Sequence, residues 1–234
     1  KTIGVAPDPA AQAIIDAANA ETAVLRNQVI GTQAIDILRD PTRLSESAMG
    51  NLVADAMLVK YPGIDAALAN SGGLRADLLV QPPTASEQPG EVTWGEVFAV
   101  LPFGNRTVIA TYTGEQLTDA FENGFSPACD AAISTGRFPQ VAGLKVTFTC
   151  SGTTAVVNGI WRAPGGVVGE AVGPADTVRV VTNDFMFTGG DGYTALAGGT
   201  DVLQPGDGLV EITIEHIAAN SPISAAVEGR IVKE

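Results

Sequence analysis

Met49, Leu52, Val53, Ala56 and Met57 stand at i, i+3, i+4, i+7 and i+8, which puts five apolar side chains on one face of a helix. Tyr61, Pro62 and Gly63 then stop that helix. Residues 64–69 follow as a short apolar run that reads as a buried strand, and this strand ends in the polar turn Asn70–Ser71–Gly72–Gly73.

The same alternation continues along the chain. Thr93 with Glu96, and Thr113 with Gln116, each have the Thr-x-x-Glu/Gln form of a capping box, in which a side chain and a backbone N–H satisfy each other at a helix start. Leu117, Ala120 and Phe121 give the second of these helices a buried face, and Gly124 suits the position just past its end. Between the two boxes residues 106–112 are β-branched and strand-like, and residues 144–148 and 178–182 are further strand candidates. Residues 151–175 read as a hairpin and surface loop, and residues 209–220 as a helix weakened by Ile and Thr. Strands and helices in irregular order predict an α+β fold of mixed layers rather than a regular parallel array.

Residues 1–9 form a Pro-containing extended lead. Residues 10–28 are Ala-rich, with Ile14, Ile15, Ala18 and Leu25 near helical spacing and Gly31 placed to close the helix. That helix is either a linker from an upstream domain or the first core helix. The division expected is therefore a lead and possible linker over residues 1–30 and one domain over residues 31–234.

Composition narrows the function classes. A formal charge of −13 over 234 residues repels nucleic-acid backbones and anionic lipid at long range, so no nucleic-acid partner is expected. Apolar runs are too short to span a bilayer, and no positive segment followed by an apolar one opens the chain. Cys129 and Cys150 are the two cysteines, an even number compatible with one disulfide outside the cytoplasm or with two buried thiols.

Self-contained catalysis finds few parts. His216 is the one histidine, and no Gly-x-Ser-x-Gly elbow accompanies it. Two cysteines and a distant histidine make no zinc site, and no lysine sits in a Walker loop. No metal ligand set or cofactor is expected in the chain.

Three Gly-rich polar turns, each read as following a strand, carry the binding chemistry: Asn70 to Arg75, Leu101 to Asn105, and Asn183 to Phe185 running on to Gly189–Tyr193. Glycine permits close backbone approach to a ligand. Phe103 and Phe185 can wall a slot for a planar ring, or plug a core. Arg43 and Arg75 can hold phosphate in fork geometry, or brace loops through carbonyls. Asp191 can accept from vicinal sugar hydroxyls, or its Gly-Gly-Asp-Gly segment can be just a tight turn, and Asn70 and Asn105 can pair with a ring edge.

These segments, in this order, resemble the C-terminal domain of 5′-nucleotidases. The resemblance rests on Glu46 to Met57, Asn70 to Arg75, Leu101 to Asn105, Gly136 to Gly143, Asn183 to Tyr193 and the ending Glu228 to Ile231, and it covers about residues 20–234. It implies an exported, cell-surface or periplasmic two-domain metallophosphoesterase. An N-terminal domain would hold two divalent metals and a His-Asp pair, while the C-terminal domain grips the nucleoside. By position, Phe103 and Phe185 match the pair that sandwiches the base, and Asn70 and Asn105 lie near its edge. Asp191 matches the ribose ligand, and Arg43 and Arg75 face ribose and phosphate. The metal-binding domain is absent from this sequence, so the chain alone is expected to bind a nucleotide or nucleoside without hydrolysing it. A non-catalytic binding module of the same fold, or half of a UDP-sugar or cyclic-nucleotide phosphohydrolase, shares the pattern.

Overall fold

The computed structural model describes residue 6, residues 8–81 and residues 87–234. Most of the lead predicted over residues 1–9 lies outside them. In chain order the elements are α1 (Pro9–Arg26), β1 (Val29–Thr32), α2 (Ala48–Lys60), β2 (Ala66–Asn70), β3 (Glu91–Thr93), α3 (Trp94–Val100), β4 (Thr107–Thr113) and α4 (Gly114–Phe125). They continue with β5 (Pro139–Ala142), β6 (Leu144–Ser151), β7 (Thr154–Arg162), β8 (Thr177–Asn183), α5 (Asp184–Phe187), β9 (Thr200–Leu203), α6 (Leu209–Asn220) and β10 (Ile231–Lys233).

The central layer is a five-stranded mixed sheet of order β5-β2-β8-β4-β9. β2 runs parallel to β8, and the other pairings are antiparallel. Alternation along these strands divides the interior in two. Ala67, Ala69, Ile109 and Val181 face one core with Met49, Leu52, Val53 and Met57 of α2, Val97 of α3 and Ile217 of α6. Ala66, Leu68, Ala110, Tyr112, Val178 and Val180 face the other, with Leu117, Phe121 and Phe125 of α4. Val146 and Phe148 of the three-stranded sheet β10-β6-β7 close that second core. Helix on sheet on the opposite face, with strands of both orientations, is the α+β fold the sequence predicts.

Local sequence chemistry explains the element starts. Thr93 and Thr113 each make both halves of their capping boxes, with Glu96 and Gln116. Ser47 caps α2 by accepting from the Gly50 N–H at 3.0 Å. α6 forms where the sequence places it, while the hairpin expected within residues 151–175 starts earlier, pairing β6 with β7 across residues 144–162.

Three expectations change. Gly31 does not close α1; Asn27 caps that helix, and Gly31 lies within β1, where a Cβ would stand 2.4 Å from Ser221 Oγ. Gly124 sits inside α4 rather than beyond it, and it is small there because a side chain would meet the Tyr193 hydroxyl at 2.5 Å. Both glycines answer to partners distant in sequence. Finally, α1 buries none of its residues, and Ile14, Ile15, Val24 and Leu25 are exposed, so it is not a core helix. No helix among the described residues is long and apolar enough to cross a membrane.

Cys129 and Cys150 form a disulfide 21 residues apart, closing the segment that carries β5. Loop-closure entropy for a loop of this size is worth about 3 kcal/mol. Replacing both cysteines by alanine should lower the denaturant midpoint accordingly, read by urea titration with and without reductant.

His216 on α6 is half-buried, and its Nδ1 is shut from solvent without a hydrogen-bond partner among the described residues. Burial lowers its pKa from the ordinary value, with Asp55 pulling weakly the other way. The unfolded chain thus takes up this proton at a higher pH than the folded one, and stability is lost as pH falls through about 6.5. As the one histidine in the sequence, it dominates that range. The melting temperature should fall between about pH 7.5 and 5.5, and His216→Gln should flatten that slope.

Candidate functional site

The three Gly-rich turns meet at one end of the inner strands β2, β8 and β4 and enclose a cleft of about 350 Å³. Arg43, Asn70, Arg75, Phe103, Asn105, Phe185 and Asp191 all line it, joined by Gly72, Gly73 and Gly136. The turn that carries Phe103 follows α3, not a strand as the sequence reading has it.

Each turn is fixed from behind. At the first, the Ser71 N–H donates to the Phe138 carbonyl at 2.8 Å, and Gly72 lies so close that a Cβ would stand 2.9 Å from the Gly136 oxygen. Arg75 closes this turn, its N–H donating to the Val100 carbonyl at 2.9 Å. The second and third turns are tied by Asp184, whose Oδ1 accepts from Asn105 Nδ2 at 2.9 Å and from the Phe185 N–H at 3.0 Å. One carboxylate therefore sets the two Phe-bearing segments against each other.

Phe103 is 60% and Phe185 41% exposed, unlike Phe121, Phe125, Phe138 and Phe148, which are buried. The Arg75 guanidinium carbon lies 5.6 Å from the Phe103 ring centroid, within cation–π range. Gly190 makes room for Phe185, since a Cβ there would meet that ring at 2.6 Å.

Asp191 has φ 55°, in the left-handed region, between Gly189 and Gly192 at φ 88° and 82°. Its carbonyl accepts from Asn123 Nδ2 at 3.2 Å, and Arg137 in turn donates to Asn123 Oδ1 at 3.0 Å. Asn70 Nδ2 donates to Asp191 Oδ2 at 3.1 Å while Asn70 Oδ1 accepts from Asn183 Nδ2 at 3.1 Å. Asn70 thus spends one donor and one acceptor on its neighbours and orients the carboxylate. Asn183 also caps α5, accepting from the Met186 N–H at 2.8 Å.

Arg43 also takes a positive φ, 56°. Burial lowers its pKa from the ordinary range, Arg75 and Arg39 add to that by repulsion, and Asp191 opposes it. It remains cationic at neutral pH. Two arginines, two exposed aromatic rings and a carboxylate lining one cleft suit a ligand with an anionic end, a planar part and hydroxyls.

Gln140 on β5 has no counterpart in the residue-by-residue reading, although it lies in a recognised segment. It is 0% exposed; its Oε1 accepts from the Ser47 N–H at 2.8 Å, and its Nε2 donates to the Ser45 carbonyl and to Ser71 Oγ, both at 3.0 Å. An amide inside a strand of otherwise apolar residues is the signal that sequence offered.

A larger cleft of about 480 Å³ lies elsewhere, lined by Asp55, Lys145, His216, Glu228 and Arg230 among others. Its Arg230 is already engaged by Asp55 at 2.7 Å and Glu228 at 2.9 Å, and none of its lining residues is aromatic except His216. The smaller cleft carries the convergent, unspent chemistry. Among the described residues no three His, Cys, Asp or Glu side chains are grouped to hold a metal ion. The resemblance places its two divalent metals in the other domain, not among these residues.

Fold and cleft together define an α+β domain with a polar, aromatic-lined cleft. The family model for the 5′-nucleotidase C-terminal domain matches residues 24–198, and the chain belongs to that family. It is 34% identical over 232 residues to the trifunctional nucleotide phosphoesterase protein YfkN of Bacillus subtilis, covering 96% of this chain and 15% of that protein. It is 30% identical to the cell wall protein Lmo0130 of Listeria monocytogenes, covering 99% of this chain and 30% of the relative. The crystal structure of a 5′-nucleotidase precursor from Thermus thermophilus superposes with a TM-score of 0.81 at 31% identity, over 95% of this chain and 43% of that one. The chain thus spans less than half the length of each.

Gly50 on α2 tests the Gln140 joint. Alanine at an ordinary helix position gains about 1 kcal/mol over glycine. Here its Cβ would stand 2.0 Å from Gln140 Oε1. Displacing that amide breaks buried hydrogen bonds at about 1–3 kcal/mol, so Gly50→Ala should destabilise the fold in a urea melt.

Proposed function

We propose that this chain is the substrate-binding domain of an exported hydrolase that removes phosphate from nucleoside 5′-phosphates, acting with a separate metal-bearing domain. The observation that carries the reading is the cleft itself, where two exposed phenylalanines, a fixed carboxylate and two arginines converge. In this reading the base inserts between Phe103 and Phe185. The ribose hydroxyls donate to Asp191, and the phosphate lies toward Arg43 and Arg75. Asn105 stands beside the base edge. Asn70 keeps the Asp191 carboxylate pointed at the sugar through its 3.1 Å hydrogen bond.

The domain's part in the reaction is positioning: it removes translational and rotational freedom before chemistry begins. The two divalent metals implied by the resemblance would supply a polarised phosphoryl oxygen and an activated water in the other domain. Export is supported by the Cys129–Cys150 disulfide and by the likeness to a cell wall protein.

Stacking on an aromatic side chain is worth about 1–3 kcal/mol per base. Titration of AMP into the wild type, at up to millimolar ligand, should give saturable binding, and Phe185→Ala should weaken it roughly 5- to 150-fold. Equal binding by both proteins would remove the base sandwich. A parallel titration with UDP-glucose and cyclic AMP distinguishes the nucleoside monophosphate reading from its relatives.

A further inference from the structure

Asp40 does not line the cleft, yet it makes the densest hydrogen-bonded turn beside it. Its Oδ1 accepts from the Thr42 N–H at 2.9 Å and the Thr42 hydroxyl at 2.7 Å. Its Oδ2 accepts from the Leu44 N–H at 2.8 Å, the Ser45 N–H at 3.0 Å and the Ser45 hydroxyl at 2.9 Å. The Asp40 carbonyl takes the Arg43 N–H itself, at 3.1 Å. The residues on both sides of Arg43 are thereby held by one carboxylate, and Arg43 is the residue forced to φ 56°.

The loop is pinned at both ends as well. The Arg39 N–H donates to Asp77 Oδ1 at 2.8 Å before it, and Gln140 holds the Ser45 carbonyl after it. Left-handed backbone is unfavourable for a residue with a Cβ, so an unrestrained loop would return Arg43 to negative φ and carry its guanidinium elsewhere. Burial alone would raise the pKa of Asp40, but the hydrogen bonds from Thr42, Leu44 and Ser45 outweigh it and hold the carboxyl below its usual range. The turn therefore stays intact across the neutral and mildly acidic range.

We propose that Asp40 is a positioning residue that folds the 40–45 loop so that Arg43 is presented to the cleft, and that it thereby sets the preference for a phosphorylated over an unphosphorylated nucleoside. This rests on the reading of Arg43 as a phosphate ligand. Its sign separates it from simple electrostatics. Removing an acidic group near two arginines should by charge alone strengthen the binding of an anion. Loss of the preformed loop acts in the opposite direction, because the ligand must then order it.

The test is calorimetric titration of AMP and of adenosine into the whole chain carrying no change, Asp40→Ala, Asp40→Asn, Arg43→Ala, Phe185→Ala, or Asp40→Ala with Arg43→Ala. Asp40→Asn keeps the size and one acceptor oxygen, and thermal melts of every variant report folding. Asp40→Ala and Arg43→Ala should each weaken AMP roughly tenfold. Asp40→Asn should fall between wild type and Asp40→Ala. Adenosine should bind wild type and the Asp40 and Arg43 variants alike, and the double variant should bind AMP no more weakly than Arg43→Ala. The proposal is overturned if Asp40→Ala binds AMP as well as or better than wild type while Arg43→Ala is weakened, or if adenosine weakens as much as AMP. Should Arg43→Ala bind AMP normally while Phe185→Ala does not, Arg43 is no phosphate ligand and the role of Asp40 falls with it, leaving the base site standing. Should neither change matter, the nucleotide-binding reading itself fails.

Discussion

The buried amide of Gln140 is the joint on which the cleft depends. Three separate pieces of chain meet there: the loop before α2, the N-terminus of α2 and the turn after β2. A neutral amide suits this place because it donates and accepts from one planar group, which a carboxylate or an ammonium cannot do. Its position is itself set by sheet register, since β5 pairs antiparallel with β2 and places Gln140 opposite Ala69. The absence of a side chain at Gly50 supplies the room. Sheet pairing, helix capping and loop placement are thus one arrangement, and none of them is local in sequence.

The two-sided core makes that arrangement rigid. β2 is buried along its whole length, so the turn that follows it leaves the sheet from a fully packed strand. On one face α2 is also secured to the end of the chain. The buried Glu46 carboxylate accepts from Asn51 Nδ2 at 2.6 Å and from the Glu228 N–H at 2.7 Å. On the other face Phe125 stacks on Phe121 and Phe148, tying α4 to β6. The cleft is then assembled from loops whose stems are packed into this core, which is the usual way for a stable scaffold to carry functional loops.

Much of this was legible because the signals were short-range. The capping boxes at Thr93 and Thr113 need only residues three apart, and the α2 face needs only one helical period. The glycines show the limit. Gly31 and Gly124 resemble helix terminators in sequence, but each is small because α6 or Tyr193 crowds it from far along the chain. The candidate site follows the same division. Residue types pointed to Phe103, Phe185, Asp191 and the arginines, and the cleft gathers them. That Asn70 turns to Asp191 and Asn183, and that Asp184 couples two turns, depends on distances no spacing rule encodes. The apolar spacing of α1 suggested a face to bury, yet amphipathic pattern alone does not supply a partner.

Arg43 and Asp191 share an unusual property: both are non-glycine residues held at positive φ on the rim of one cleft. Such backbone costs a residue with a Cβ roughly 1–2 kcal/mol, less for aspartate than for arginine. Selection for heat resistance alone would therefore favour glycine at these two positions, and the hardier proteins it produced would have lost a cation and an anion from the binding surface. On the proposed reading of the cleft, thermal robustness and ligand recognition are set against each other at these two positions, so a stabilised version has to be sought outside the cleft.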